Sequence, residues 1–251
     1  GVSQISETSQ SVPDWVKNTA GWWADGQIDD GSFVLGLQWL VTNGIIIVEE
    51  NLISTDPNLR VAFIADQSLN GVPVLNLIKS EGADMVLHQG DLDYIDDPDA
   101  WDSMISNVLG DDFPYFATPG GHEFRPFGVH DDTKWDQYQR TLQDRLNKIP
   151  GVKCIGDLGI KSSCTYKGLF FTLSSPGLKG SGHGAFIENQ LNNNDHIWRI
   201  CTWERTTSLM QVGIKTDLDN WEVYENCKDG GAIIATGHAH SYSRTDRKST
   251  R

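Results

Sequence analysis

Four short segments rich in acidic residues and histidine follow one another along the chain, each where a strand is predicted to end. They span residues 66–68, 90–94, 120–123 and 237–240. Carboxylates, imidazoles and a phenol are all metal ligands, and side chains beyond the carboxyl ends of neighbouring strands lie close together. The ordered set therefore predicts a metal centre, although each segment alone is also typical of an ordinary turn.

The residue types in these segments suit a hard cation. Asp66 and Asp91 are oxygen donors that can bind or bridge ions, and Tyr94 follows three residues after Asp91. His238 and His240 alternate, so an irregular turn would let both face one cavity. Two carboxylates, a phenolate and an imidazole favour Fe(III), because three anionic ligands neutralise its charge. A second, divalent ion would share Asp91 and use His238.

Two adjacent metal ions would support hydrolysis of a phosphate ester. They clamp a phosphate and lower the pKa of a bound water to near neutrality, which supplies a metal-bound hydroxide for in-line attack. His122 would be an imidazole beside the metal ligands, which could hold the phosphate or assist the departing alkoxide as a general acid. Glu123 is expected to orient His122.

Alternating strands and helices are predicted to position these segments. After residue 60, apolar runs at 60–66, 83–91, 113–118, 169–173, 197–203 and 231–237 read as strands, and 72–79, 101–109, 135–148 and 220–228 read as helices. This order indicates an α/β domain with buried sheets. The glycine-rich stretch 180–184, which contains His183, is predicted to be a surface loop.

The order of the motifs resembles that of the calcineurin-like metallophosphoesterases. That family shows D-x-[GS], G-D-x-x-Y, G-N-H-[DE], a later histidine and G-H-x-H, and the G-D-x-x-Y form is most similar to the purple acid phosphatases. The resemblance covers about residues 60–247. It implies two packed mixed sheets flanked by helices, a four-layer α/β/β/α sandwich, with a two-metal centre that hydrolyses phosphate esters.

Carried over by position, the resemblance implies a role for each segment. Asp66, Asp91, Tyr94 and His240 would hold Fe(III). Asp91 and His238 would hold Zn, Mn or Fe(II) at a second site, and His122 would match the family's catalytic histidine.

The chain departs from the family pattern at the second site. Gly121 stands where the family has asparagine, which removes one ligand. The family's later histidine falls at residues 201–204, where Glu204 can bind a metal with a different charge and geometry. The chain also ends soon after the last motif, whereas the family continues with further strands. We therefore expect a weakened second site and a domain that is truncated at its C-terminus or completed by self-association or another chain.

Residues 1–55 are predicted to form a separate tryptophan-rich helical module, and residues 60–251 the metallophosphoesterase-like domain. Ser32 is expected to cap the second helix of this module, and residues 45–48 to form a short strand. The stretch W-V-K-N-x-A-x-W-W-A-D-G-Q-I-D-D resembles a module of exported archaeal proteins. Its tryptophans would fill a small core, or alternatively stack on glycans.

Composition narrows the class of partner. Apolar residues make up 38% and charged residues 22% of the 251 residues, which is typical of a globular protein. The net charge of -14 argues against nucleic acid or an anionic membrane as a partner, since both require basic patches. No apolar run reaches the ~18 residues of a membrane-spanning helix.

The four cysteines provide information about whether the protein is exported or cytosolic. None forms a C-x-x-C pair, which argues against a zinc–thiolate site. Cys154 and Cys164 flank a glycine-containing loop and could form one disulfide, with Cys201 and Cys227 forming the second, although four cysteines allow three pairings. Disulfides would indicate export, whereas four buried free thiols would indicate a cytosolic protein.

Two functions therefore compete. The leading one is an exported, acid-phosphatase-like phosphoesterase, extracellular or at the cell surface, that acts on phosphate monoesters. The alternative is a catalytically impaired surface or assembly protein that keeps the metallophosphatase scaffold with a degenerate second metal site.

Overall fold

The computed structural model describes residues 14–42, 58–67, 71–125, 131, 133–210, 215 and 221–244. The chain divides into two compact units, Gly1–Ile53 and Ser54–Arg251. The strand predicted at 45–48 lies outside the described residues. Within the described part, every helix is too short or too polar to cross a bilayer.

The first unit is a pair of helices, α1 (Asp14–Ala24) and α2 (Asp30–Thr42). The backbone N–H of Ser32 donates to the Asp29 carboxylate over 2.8 Å. Asp29 is therefore the N-terminal cap of α2, and the prediction that Ser32 caps this helix is wrong.

Aromatic rings join the two helices. Trp23 of α1 stacks on Phe33 of α2 with ring centroids 4.5 Å apart, and Trp15 meets Trp39 edge-on at 5.3 Å. The tryptophans Trp15, Trp22, Trp23 and Trp39 nevertheless remain exposed, so these ring pairs form only part of a core.

The second unit contains two β-sheets. The first has three parallel strands in the order β1 (Val61–Ile64), β2 (Met85–Gln89) and β3 (Tyr115–Thr118). Helices α3 (Gly71–Ser80) and α4 (Pro98–Leu109) connect these strands. Every residue of β2 and β3 is buried, as expected for parallel strands covered on both faces.

The second sheet has five strands in sequence order: β4 (Lys153–Asp157), β5 (Lys161–Tyr166), β6 (Leu169–Ser174), β7 (Trp198–Trp203) and β8 (Ile233–Thr236). Strand β5 runs antiparallel to both β4 and β6, and β6, β7 and β8 are parallel. The remaining helices are α5 (Lys134–Leu146), α6 (His183–Asn192) and α7 (Glu222–Asp229).

The two sheets pack face to face between two layers of helices. Phe116 of β3 meets Phe171 of β6 edge-on, with ring centroids 4.7 Å apart. Trp101 of α4 and Tyr138 of α5 belong to this core, whereas a second apolar cluster between β7, α6 and α7 contains Trp203. The predicted four-layer α/β/β/α sandwich is confirmed.

Both suggested disulfides are present, but the elements around the first differ from the prediction. Cys154 and Cys164 lie directly opposite each other on antiparallel β4 and β5, rather than on either side of a loop. These two strands carry serine, lysine and glycine and show no clear apolar run, which is why the sequence did not predict them. Cys201 of β7 pairs with Cys227 of α7.

The prediction of a surface loop at His183 is wrong. His183 is the first residue of α6 and is buried. Its Nδ1 lies 2.9 Å from Ser174 Oγ and its Nε2 lies 3.0 Å from the Lys179 carbonyl oxygen. Burial lowers the pKa of this imidazole, so it stays neutral and acts as a structural hydrogen-bonding group.

The carboxyl ends of the two sheets meet at one edge of the sandwich. The backbone N–H of Asp66, after β1, donates to the Gly90 carbonyl, after β2, over 3.1 Å. The Gly237 N–H, after β8, donates to the Glu204 carbonyl, after β7, over 3.1 Å. A Cβ atom at Gly90 would lie 2.5 Å from Glu204 Cβ, so this seam requires glycine. The predicted segments are therefore brought together.

Candidate metal centre

Four of the predicted ligands form one compact group. Asp66, Asp91, Glu204 and His238 each present one ligand atom, and these atoms all lie within 4.8 Å of one another. The four residues follow β1, β2, β7 and β8 respectively, so each comes from the end of a different strand. This arrangement can hold a cation between the two sheets.

The two other predicted ligands stand beside this group. Tyr94 Oη lies 3.3 Å from His240 Nε2 and 3.5 Å from Asp91 Oδ2. His240 Nε2 lies 3.2 Å from Asp66 Oδ1. Ligands bound to one ion over ~2.0–2.2 Å stand about this far apart. The side chains of Asp66, Asp91, Tyr94 and His240 therefore fit around a single ion.

The backbone bends sharply at four of these positions. Asp66, Asp91, His238 and His240 have φ angles of 52°, 51°, 70° and 48°, in the left-handed region. Residues other than glycine seldom adopt it, and each instance costs about 1–3 kcal/mol. Such strain concentrates at functional sites, where the side-chain direction is more important than the local backbone energy.

Glu123 holds the loop that carries Asp91. Its carboxylate accepts hydrogen bonds from the backbone N–H groups of Asp91 at 3.1 Å, Leu92 at 2.8 Å and Gly120 at 2.7 Å. The expectation that Glu123 orients His122 is therefore wrong, since both carboxylate oxygens face this backbone. Burial, and then the charge of Asp91, raise the pKa of Glu123 well above its ordinary value.

His122 lies at the mouth of the site. Its backbone N–H donates to Asp91 Oδ1 over 2.9 Å, and its ring meets the Tyr94 ring edge-on with centroids 4.2 Å apart. The side chain is exposed to solvent, whereas Asp91 is buried. An imidazole in this place can reach the outer side of a bound substrate.

The ionised forms of the buried carboxylates require a nearby positive charge to stabilise them. Burial, and then the charges of Asp91 and Glu204, raise the pKa of Asp66 to about 7. Burial raises the pKa of Glu204 despite its contact with His238, and the Asp91 charge adds to this rise. In the described part of the chain, Asp66 Oδ1 is buried and accepts no hydrogen bond, and both Glu204 oxygens are buried beside His238 and Arg205. The donor set therefore fits a bound cation.

The phenol of Tyr94 is also sensitive to these charges. Burial, and then the charges of Asp91 and Asp66, raise the pKa of Tyr94 above its ordinary value. The side chain is therefore a neutral phenol in the metal-free protein. Formation of a phenolate ligand requires a cation to offset the neighbouring carboxylates.

Two basic residues at the site were not predicted from the sequence. Arg205 Nε lies 3.1 Å from Glu204 Oε2, and Arg205 Nη1 lies 3.2 Å from His238 Nε2. Lys215 Nζ donates to the His238 carbonyl over 2.6 Å. Arg205 could have been found because it directly follows Glu204 after a strand, but no pattern pointed to Lys215.

Comparison with known proteins identifies the class. The family model for calcineurin-like phosphoesterases matches residues 69–245, more than half of the chain. The protein belongs to this family. No curated protein matches the sequence.

Among solved structures, the chain is similar to a purple acid phosphatase from yellow lupin (Lupinus luteus) seeds, with a TM-score of 0.50 and 16% identity. The similarity covers 72% of this chain and 38% of that one. The chain therefore spans less than two fifths of the length of the lupin protein, and the likeness is one of fold.

Proposed function

We propose that this protein is a metal-dependent phosphoesterase that releases phosphate from monoesters. The observation that carries the proposal is that six predicted ligands from four strand ends lie at or beside one buried acidic group, Asp66, Asp91, Glu204 and His238. Membership of the calcineurin-like phosphoesterase family supports a reaction at phosphorus.

The ligands divide into two sets that share Asp91. The first ion, Fe(III), would be held by Asp66, Asp91, Tyr94 and His240, whose donor atoms are 3.2–3.5 Å from their neighbours. The groups left for a second ion, Zn, Mn or Fe(II), are Asp91, Glu204 and His238. When bound, such ions neutralise the charge of the phosphate and generate a hydroxide nucleophile from water near neutral pH.

His122 is the proposed general acid. Its exposed ring lies beside Tyr94, on the solvent side of the cluster, where the leaving group of a bound ester would point. A proton donated from this imidazole would stabilise the departing alkoxide. Glu123 contributes indirectly, because its hydrogen bonds hold the segment of Asp91 and Leu92, after β2, against Gly120, after β3.

We further propose that the protein acts outside the cytosol. Two disulfides support this location, because they persist in oxidising compartments. A protease-protection experiment on intact cells of the native source would test the location, and protein found only behind the membrane would contradict it.

Hydrolysis of p-nitrophenyl phosphate by metal-loaded protein tests the proposed activity. Asp91→Asn should abolish turnover, since Asp91 contributes to both ligand sets. Asp99→Asn makes the same chemical change at an exposed position in the first turn of α4 and should leave turnover unchanged. Equal activity of the Asp91→Asn variant and the wild type would overturn the proposal.

A non-catalytic scaffold is the second candidate. It is favoured by the position of Glu204, whose Oε1 lies 2.5 Å from His238 Nδ1 and whose Oε2 lies 3.1 Å from Arg205 Nε. Absence of hydrolysis with every metal tested would support this candidate, particularly if Gly121→Asn combined with Glu204→His conferred activity.

A further inference from the structure

Arg205 contacts both residues that would complete the ligands of a second metal ion. Its Nε lies 3.1 Å from Glu204 Oε2 and its Nη1 lies 3.2 Å from His238 Nε2. The Arg205 side chain is 14% exposed and that of Glu204 is fully buried. These contacts are therefore made in a site largely shielded from water, where opposite charges attract strongly.

The contacts of His238 with Arg205 and Glu204 indicate which nitrogen of its ring carries the proton. A guanidinium group only donates, so His238 Nε2 must be the acceptor from Arg205. A neutral imidazole then carries its proton on Nδ1, which lies 2.5 Å from Glu204 Oε1. A proton is required between these two atoms, because two lone pairs at this distance repel. With both nitrogens engaged, His238 has no lone pair left for a metal ion.

Gly121 provides the space that the guanidinium occupies. A Cβ atom built at Gly121 would lie 3.0 Å from Arg205 Nη2, closer than ordinary van der Waals contact. An asparagine at this position, as in the family motif, would crowd the guanidinium. The two departures from that motif thus fit Arg205: Gly121 leaves room for it, and Glu204 supplies its counter-ion.

We propose that the guanidinium of Arg205 takes the place of the second metal ion, so that the chain binds one metal ion beside a cation of its own. This proposal rests on the proposed function and refines it. Asp66 and Asp91 would face the metal with Tyr94 and His240, while Glu204 and His238 face Arg205. A guanidinium also offers planar paired donors that match a phosphate group.

Zinc stoichiometry tests the proposal. Protein is loaded with excess Zn²⁺, dialysed and analysed by elemental mass spectrometry. We expect one zinc per wild-type chain and two per chain of the Arg205→Ala/Gly121→Asn variant, in which Glu204 and His238 are freed and the family's asparagine is restored. Arg140→Ala, at an exposed position on α5, should keep one zinc. Two zinc ions in the wild type, or one in the double variant, would overturn the proposal.

A second measurement needs no change at Arg205 and so covers the case in which the double variant does not fold. Nitrogen-15 NMR of histidine-labelled wild-type protein reports the tautomer and ligation of each ring. On addition of Zn²⁺ we expect the His240 ring to show metal ligation, and the His238 ring to keep its proton on Nδ1. Zinc ligation by His238 would overturn the proposal.

Neither measurement uses a substrate, which separates this proposal from the proposed function. A wild-type chain with one zinc, a protonated His238 Nδ1 and no hydrolysis of any ester would count against the phosphoesterase activity alone. Hydrolysis that begins only when a second zinc binds would retain the activity and overturn the role of Arg205.

Discussion

Tyr94 Oη lies 3.3 Å from His240 Nε2, although 146 positions separate the two residues in the chain. Tyr94 belongs to the loop after the central strand of the first sheet, and His240 to the turn after an edge strand of the second. Their contact is therefore a direct consequence of packing the two sheets with their carboxyl ends together.

Fe(III) should colour the protein through Tyr94. A phenolate bound to Fe(III) gives a charge-transfer band in the visible spectrum, so protein reconstituted with Fe(III) is expected to be purple. Tyr94→Phe should bind iron without this band, whereas Tyr242→Phe, at an exposed tyrosine, should keep it. Absorption spectra during iron titration provide the measurement. A purple Tyr94→Phe variant would show that another group is the chromophoric ligand.

His122→Ala should slow hydrolysis in a manner that depends on the leaving group. General acids contribute about 10²–10⁴-fold, and most when the departing alkoxide is a poor leaving group. The loss in kcat should therefore be large for an alkyl phosphate and small for p-nitrophenyl phosphate. Steady-state kinetics with both esters test this, and an equal loss for the two would indicate that His122 only binds phosphate.

Acid should destabilise the protein through His183. Burial lowers the pKa of this histidine in the folded state, so below about pH 6.5 the unfolded chain binds a proton that the folded chain does not. The contribution of the neutral ring is fully present above that pH and is lost as the pH falls towards the lowered folded-state pKa.

The melting temperature of the wild type should consequently fall more steeply between pH 6.5 and 5 than that of His183→Gln, whose side chain does not titrate. His196→Gln, at a half-exposed histidine, should follow the wild type. Calorimetry across this pH range measures the two slopes. Parallel curves for wild type and His183→Gln would contradict the prediction.

The longer disulfide loop should contribute more to stability. Cys201 and Cys227 are 26 residues apart and Cys154 and Cys164 are 10 apart. Loop-closure entropy gives about 3.5 kcal/mol for the first and about 2.7 kcal/mol for the second. Urea denaturation of each double cysteine-to-alanine variant measures these losses. A larger loss on removal of the 154–164 pair would mean that native-state effects outweigh loop length.

The sequence pattern predicted an α/β domain with buried sheets because its central strands are short apolar runs between amphipathic helices. The four-layer arrangement came from the family resemblance. Residues 85–89 are buried throughout, and the apolar run of Met85, Val86 and Leu87 is typical of a strand covered on both faces. Strands β4 and β5 were missed because their serine, lysine and glycine residues leave no clear apolar run. Helix α6 was missed because its start follows a run of glycines, of which Gly182 has a φ of 71°.

The candidate ligands were predictable for a related reason. Asp66, Asp91 and His238 each stand directly after an apolar run, so their positions follow from the strands. The contacts of Arg205 were not predictable, because they bring its guanidinium against His238, which lies 33 positions away at the end of another strand. Glu123 was assigned to the wrong partner since adjacency in sequence suggested His122, whereas the turn directs its carboxylate at the backbone around Asp91.

The origin of the predicted ligands from both sheets also bears on the mechanics of the sandwich. Asp66 follows β1 and His240 follows β8, which are edge strands of different sheets. An ion held between them would cross-link the two sheets, which are otherwise joined by apolar packing. Occupancy at a hundred times the dissociation constant would add about 2.7 kcal/mol to the free energy of unfolding. Removal of the ion by a chelator should therefore loosen this edge of the sandwich first. The turns after β1 and β8 should then be the first sites of proteolytic cleavage.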